Sequence, residues 1–108
     1  MGDDPVVDRH ARVRGLLDSA ERVVTSAADG VDSRAALEVA RLLADVERET
    51  PGGAPLHSQL DTVRKWVDAL ARPEDHARFG GSAHVRDHVV GQFQRAHAAA
   101  DDYFRESG

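Results

Sequence analysis

The chain has 108 residues, of which 41% are hydrophobic, with no cysteine and a formal charge of -5. This length fits one domain that can bury a core without metals or disulfides. The missing cysteine excludes thiol catalysis and cysteine-ligated zinc, and the interleaved acids and bases leave no basic stripe for nucleic acid.

The opening residues, MGDDPVVDRH, put acids where a secretory signal needs bases followed by an apolar run. No stretch approaches the roughly 18 apolar residues of a membrane span. A soluble, cytoplasmic protein that binds neither membrane nor nucleic acid is expected. Residues 1–4 form a short acidic, flexible start, and residues 5–106 read as a single domain.

Pro5 suits a first helical turn, and Val6, His10, Val13, Leu17, Ala20, Val24 and Ala27 then recur at spacings of three and four. Asp29-Gly30 ends that helix, and Asp32 or Ser33 caps the next, whose stripe is Ala36, Val39, Leu43 and Val46. It should run to about Glu49. Thr50 to Pro55, TPGGAP, packs two prolines and two glycines into six residues and is the clearest loop in the chain. Leu56, Leu60, Val63, Val67 and Leu70 follow with spacings 4, 3, 4, 3, with Trp66 at the margin of the seam and Pro73 as its stop. A single helical turn is expected around Glu74 to Arg78, before Gly80-Gly81 breaks the chain. Ser82 offers a cap for a last helix bearing Val85, Val89, Phe93, Ala96, Ala100 and Tyr103 or Phe104.

Four amphipathic helices with short connections are most economically satisfied by an all-α antiparallel four-helix bundle. The alternative is a pair of helical hairpins that completes its bundle by dimerisation. Asp8 with Arg12 and Asp18 with Arg22 lie at i,i+4 with the acid first, pairs worth about 0.2–0.5 kcal/mol each that mark solvated faces.

Six histidines raise the question of a metal. His84 and His88 have the i,i+4 spacing that lets two imidazoles share an ion, yet no H-E-x-x-H motif accompanies them, and His84 points away from the apolar stripe. They read as a solvated pair or an adventitious metal binder, so no metal is expected. His10 lies within the stripe of the first helix and reads as a partly buried group bonded to a neighbouring helix, or as a pH-sensitive one. His97, beside Phe93, has the same two readings. No G-x-S-x-G elbow, phosphate loop or dinucleotide motif is present, so no catalytic residue is assigned.

The stretch DSRAALEVARLL resembles the recognition helix of acyl and peptidyl carrier proteins. Asp32-Ser33 opens it, Glu38 stands five residues after the serine, and LDTVRKWVDAL resembles the family's last helix. The resemblance spans residues 32–70. It implies Ser33 as the attachment site of 4'-phosphopantetheine, whose thiol arm would carry an acyl or aminoacyl intermediate between partner enzymes. A helix N-terminus suits the phosphate of that group. Arg34 stands where the family places Leu or Met, and the segment after Leu70 has no counterpart in a minimal carrier domain. The competing reading makes Asp32 and Ser33 a helix cap worth roughly 1 kcal/mol.

With no site chemistry evident, the expected function is that of a non-enzymatic protein-interaction or regulatory module, whose partner is another protein or a second copy. Trp66, Tyr103 and Phe104 are the candidate surface anchors. The carrier role with Ser33 is the alternative, and a small apolar ligand held between helices is a third reading.

Overall fold

The computed structural model describes residues 5–26 and 32–107. Helix α1 spans Pro5–Thr25, α2 Ser33–Glu49, α3 Ala54–Leu70 and α5 Ser82–Ser107; between the last two lie a one-turn helix, α4 (Pro73–His76), and a 3-10 turn (Ala77–Phe79). Among the described residues there is no strand. The expected end of α1 at Asp29-Gly30 and the acidic start at residues 1–4 lie outside the described residues.

The start of α2 assigns the cap to Asp32. Its backbone is extended (φ -83°, ψ 175°) and its carboxylate accepts the Ala35 amide at 2.8 Å. Ser33 is the first helical residue and is exposed.

The α2–α3 turn is tied by side chains as well as by its glycines. Thr50, at the end of α2, is fully buried, and its hydroxyl donates to the Val46 carbonyl at 2.8 Å. From the first turn of α3, His57 Nε2 donates to the Thr50 carbonyl at 2.9 Å. Gly52 takes φ +76°, and Pro55 occupies the first turn of α3, where its missing N–H costs nothing.

After α3, Arg72 is extended before Pro73, as the ring of a following proline requires. The imidazole of His76 donates to the Leu70 carbonyl at 2.9 Å, satisfying one of the carbonyls left open at the end of α3. The passage into α5 closes with two bonds, Gly81 N–H to His76 O at 2.7 Å and Gly80 N–H to Ala77 O at 3.4 Å. This is the Schellman arrangement, and it puts Gly80 at φ +93°. Gly81 then takes the cap position expected of Ser82, with its carbonyl accepting the Val85 amide at 3.1 Å.

The stripes read from the sequence meet inside one chain. Val13, Leu17, Ala20 and Val24 of α1, Val39, Leu43 and Val46 of α2, Leu56, Leu60, Val63, Val67 and Leu70 of α3, and Val85, Val89, Phe93, Ala96, Ala100 and Phe104 of α5 form a single buried core. Helix α1 packs on α2 and α5, and α3 packs on α5 and, less extensively, α2. Each long helix therefore has two neighbours, consistent with a four-helix bundle, and the core closes without a second copy.

The charged residues of α1 correct one expectation. Arg12 reaches across to Glu49 of α2 at 3.1 Å, with Arg9 at 3.8 Å, and Asp18 pairs with His97 of α5 at 3.1 Å. Partners on neighbouring helices thus take the charges that the i,i+4 spacing assigned to Arg12 and Asp18. Arg64 of α3 likewise bridges to Glu47 of α2. Such pairs near the surface add little stability and chiefly set which helix faces meet.

Candidate functional site

The aromatic residues singled out in the sequence separate into three environments. Phe104 belongs to the core at 5% exposure, with the imidazole of His10 stacked on it (centroids 4.8 Å apart, 20° between planes). The Nε2–H of His10 donates to Asp101 Oδ1 at 2.7 Å, so the ring is held between an apolar face and a carboxylate of α5. The neighbouring-helix reading of His10 is the one the geometry matches. Phe104 is thereby withdrawn from the surface.

Tyr103, the next position round the helix, covers the α2–α3 turn. Its hydroxyl donates to the Pro51 carbonyl at 2.8 Å, and its ring lies so close to Gly53 that a Cβ there would meet Cδ2 at 3.1 Å. Absence of a side chain at Gly53 is what lets the ring seat on the turn. A cleft of about 230 Å³ beside it is lined by Gly52, Gly53, Pro55, Leu56, Ala99, Asp102, Tyr103 and Glu106. That is smaller than the roughly 300–1,000 Å³ typical of small-molecule pockets, and two carboxylates line it.

Trp66 forms the third environment, on the outer seam of α3 and α5. The indole is half-buried and lies flat on His88 of α5, with centroids 4.5 Å apart and 8° between planes. One turn from His88 along α5, Gln92 accepts from Gln59 Nε2 at 2.7 Å through its side chain and 3.2 Å through its carbonyl. The stack and this amide pair fasten α3 to α5 at two levels. His84 meets His88 edge-on, with 3.1 Å between their Nε2 atoms, and both are exposed. Asp87, Gly91, Gln92 and Arg95 line the shallow depression they share.

A further chemistry-bearing contact is His57 with Thr50, whose Nε2 and Oγ1 lie 3.1 Å apart. A hydroxyl beside an imidazole is the geometry of an activated nucleophile. Here the hydroxyl hydrogen points to Val46 O and the side chain is fully buried, so the pair holds the turn and meets no substrate.

At the other end of α2, Ser33 is exposed at the helix start, and Leu37, one turn on, is 72% exposed beside Arg34, Glu38 and Arg41. The extensive contacts of α5 are with α3 and α1, not α2.

Among the described residues no three His, Asp or Glu side chains converge on a common metal position, and no helix is long and apolar enough to cross a membrane. Compared with known protein families, curated proteins and solved structures, the chain matches none.

Proposed function

We propose that this chain is a non-enzymatic, cytoplasmic interaction module, an antiparallel four-helix bundle that presents the α3–α5 face around Trp66 to a protein partner, with a second copy of itself as the first candidate. It binds neither nucleic acid nor membrane, in keeping with its charge of -5 and its lack of a basic stripe. Reversed numbering across the helix seams supports the antiparallel arrangement. His10 meets Asp101 while Asp18 meets His97, and Gln59 meets Gln92 while Trp66 meets His88.

The observation that carries the reading is the indole of Trp66. It is the chain's single tryptophan, held flat on His88 at the surface seam instead of inside the core. Tryptophan is a favoured interface anchor, and a ring already fixed in place loses little entropy when a partner covers it. Trp66→Ala should keep the helical content while moving the chain from dimer to monomer in multi-angle light scattering. A wild-type chain that is monomeric at every concentration reached would sink the self-associating form.

The exposure of Ser33 favours one second reading, the carrier role with 4'-phosphopantetheine. Asp32 makes the cap, Ser33 is exposed at the helix start, and α5 packs elsewhere. Incubation with a promiscuous phosphopantetheinyl transferase and coenzyme A should then add the mass of one arm, an addition absent in Ser33→Ala. An unchanged intact mass removes this reading.

A further inference from the structure

We infer that His84 and His88 form a two-nitrogen clamp for a divalent transition-metal ion of the imidazole-preferring class, Ni(II), Cu(II) or Zn(II). Their Nε2 atoms face each other at 3.1 Å. Two nitrogens bound to one ion at about 2.0–2.1 Å stand about 2.9 Å apart for a right-angle pair and about 3.3 Å apart for a tetrahedral pair. The observed separation falls between these limits, so an ion fits between the nitrogens once the rings turn their Nε2 atoms from each other toward a common point.

Both rings are also held from behind. His88 lies flat against Trp66, and the ring of His84 rests over Gly80, where a Cβ would come within 3.2 Å of its Cδ2. Such backing fixes ring direction, the service that outer contacts perform in metal sites generally.

The other four imidazoles have different employment. Nε2 of His10 faces Asp101, that of His97 faces Asp18, that of His57 faces Thr50, and that of His76 faces the Leu70 carbonyl. His84 and His88 direct their Nε2 atoms at each other on an open surface. In the metal-free protein one Nε2 carries the hydrogen and donates to the other. Entry of the ion requires the donor ring to move that hydrogen to its Nδ1, with no net proton lost from a neutral pair. Acid opposes binding because protons compete for the same nitrogens.

With two protein ligands the clamp leaves coordination positions open, to be filled by water or by the same pair from a second copy. Asp87 and Arg95 line the same depression, one attracting and one repelling a cation. The clamp does not depend on the association proposed above. A chain that binds the ion and stays monomeric keeps the clamp and loses self-association, and a dimer that takes up no ion does the reverse.

The test is titration of the purified chain with nickel chloride while the emission of Trp66 is followed. An open-shell ion at His88 quenches an indole whose centroid is 4.5 Å from that ring. Saturable quenching is expected, with metal content by equilibrium dialysis of one ion per chain, or one per two chains if a second copy completes the site. His84→Gln and His88→Gln should each raise the half-saturating concentration about tenfold or more, a loss of about 1.4 kcal/mol in binding. His84→Gln keeps the Trp66–His88 stack, so its loss of quenching reports the ion and not a changed baseline. Binding that survives in both variants, or quenching that never saturates, overturns the assignment.

Discussion

Replacing Phe93 by alanine should cost about 3–5 kcal/mol of folding stability, the range for deleting a fully buried aromatic ring. Among the described residues Phe93 is the largest side chain with no exposed surface, and it stands midway along α5 between Val89 and Ala96. The stripe beyond it continues with Ala96 and Ala100, residues too small to fill the space it would vacate. Domains of this size have about 5–15 kcal/mol in total, so the loss is a large share of the whole. Leu37→Ala is the comparison, because a side chain 72% exposed should change stability by no more than about 0.5 kcal/mol. Urea denaturation followed by far-ultraviolet circular dichroism measures both. Equal midpoints for the two variants would mean that the ring does not hold the core.

Gly80→Val is expected to have the next largest effect, about 1–3 kcal/mol. At φ +93° a β-branched residue is strained whatever space surrounds it, and its Cβ would press on the ring of His84 at 3.2–3.3 Å. Gly81 supplies an internal control. Its φ is +104°, yet a Cβ there meets nothing within 4 Å. Gly81→Val thus reports backbone strain and the loss of a glycine cap without any ring contact, and an excess in Gly80→Val reports the contact with His84. A loss in Gly81→Val equal to or greater than that in Gly80→Val would show that the His84 contact adds nothing.

The helices were legible in the sequence because their stripes are regular. The 4, 3, 4, 3 seam from Leu56 to Leu70 became the buried face of α3 without exception, and the TPGGAP turn and Pro55 fell where the backbone chemistry of glycine and proline puts them. At the end of α5 the pattern ran out. Tyr103 and Phe104 follow Ala100 by three and four residues, and either spacing continues the stripe. Burial of Phe104 was decided by the packing of α1, whose His10 lies on its ring.

Contacts between distant residues were illegible for the same reason. Nothing within α1 says that Asp18 will face His97, because that depends on how far α1 slides along α5. Thr50 carried a weak signal that was missed. A threonine at a helix end, seven residues before a histidine and across a tight turn, is placed to lend its hydroxyl and carbonyl to a local network, and it proved fully buried. Trp66 fell at the margin of its seam, as its spacing indicated, whereas the flat stack on His88 required the docking of α3 on α5.

The seam between the first and last helices has a consequence for the order of assembly. The bond from His10 to Asp101 joins residues 91 apart, whereas Gln59 and Gln92 are 33 apart and His57 and Thr50 only 7. Counted along an otherwise open chain, closing the first of these loops costs about 0.9 kcal/mol more in chain entropy than closing the second. The turn around Thr50 and the α3–α5 hairpin carry the cheaper closures and are favoured to form early. Docking of α1 on α5 shuts the longest loop, which makes that seam the natural place for the bundle to breathe.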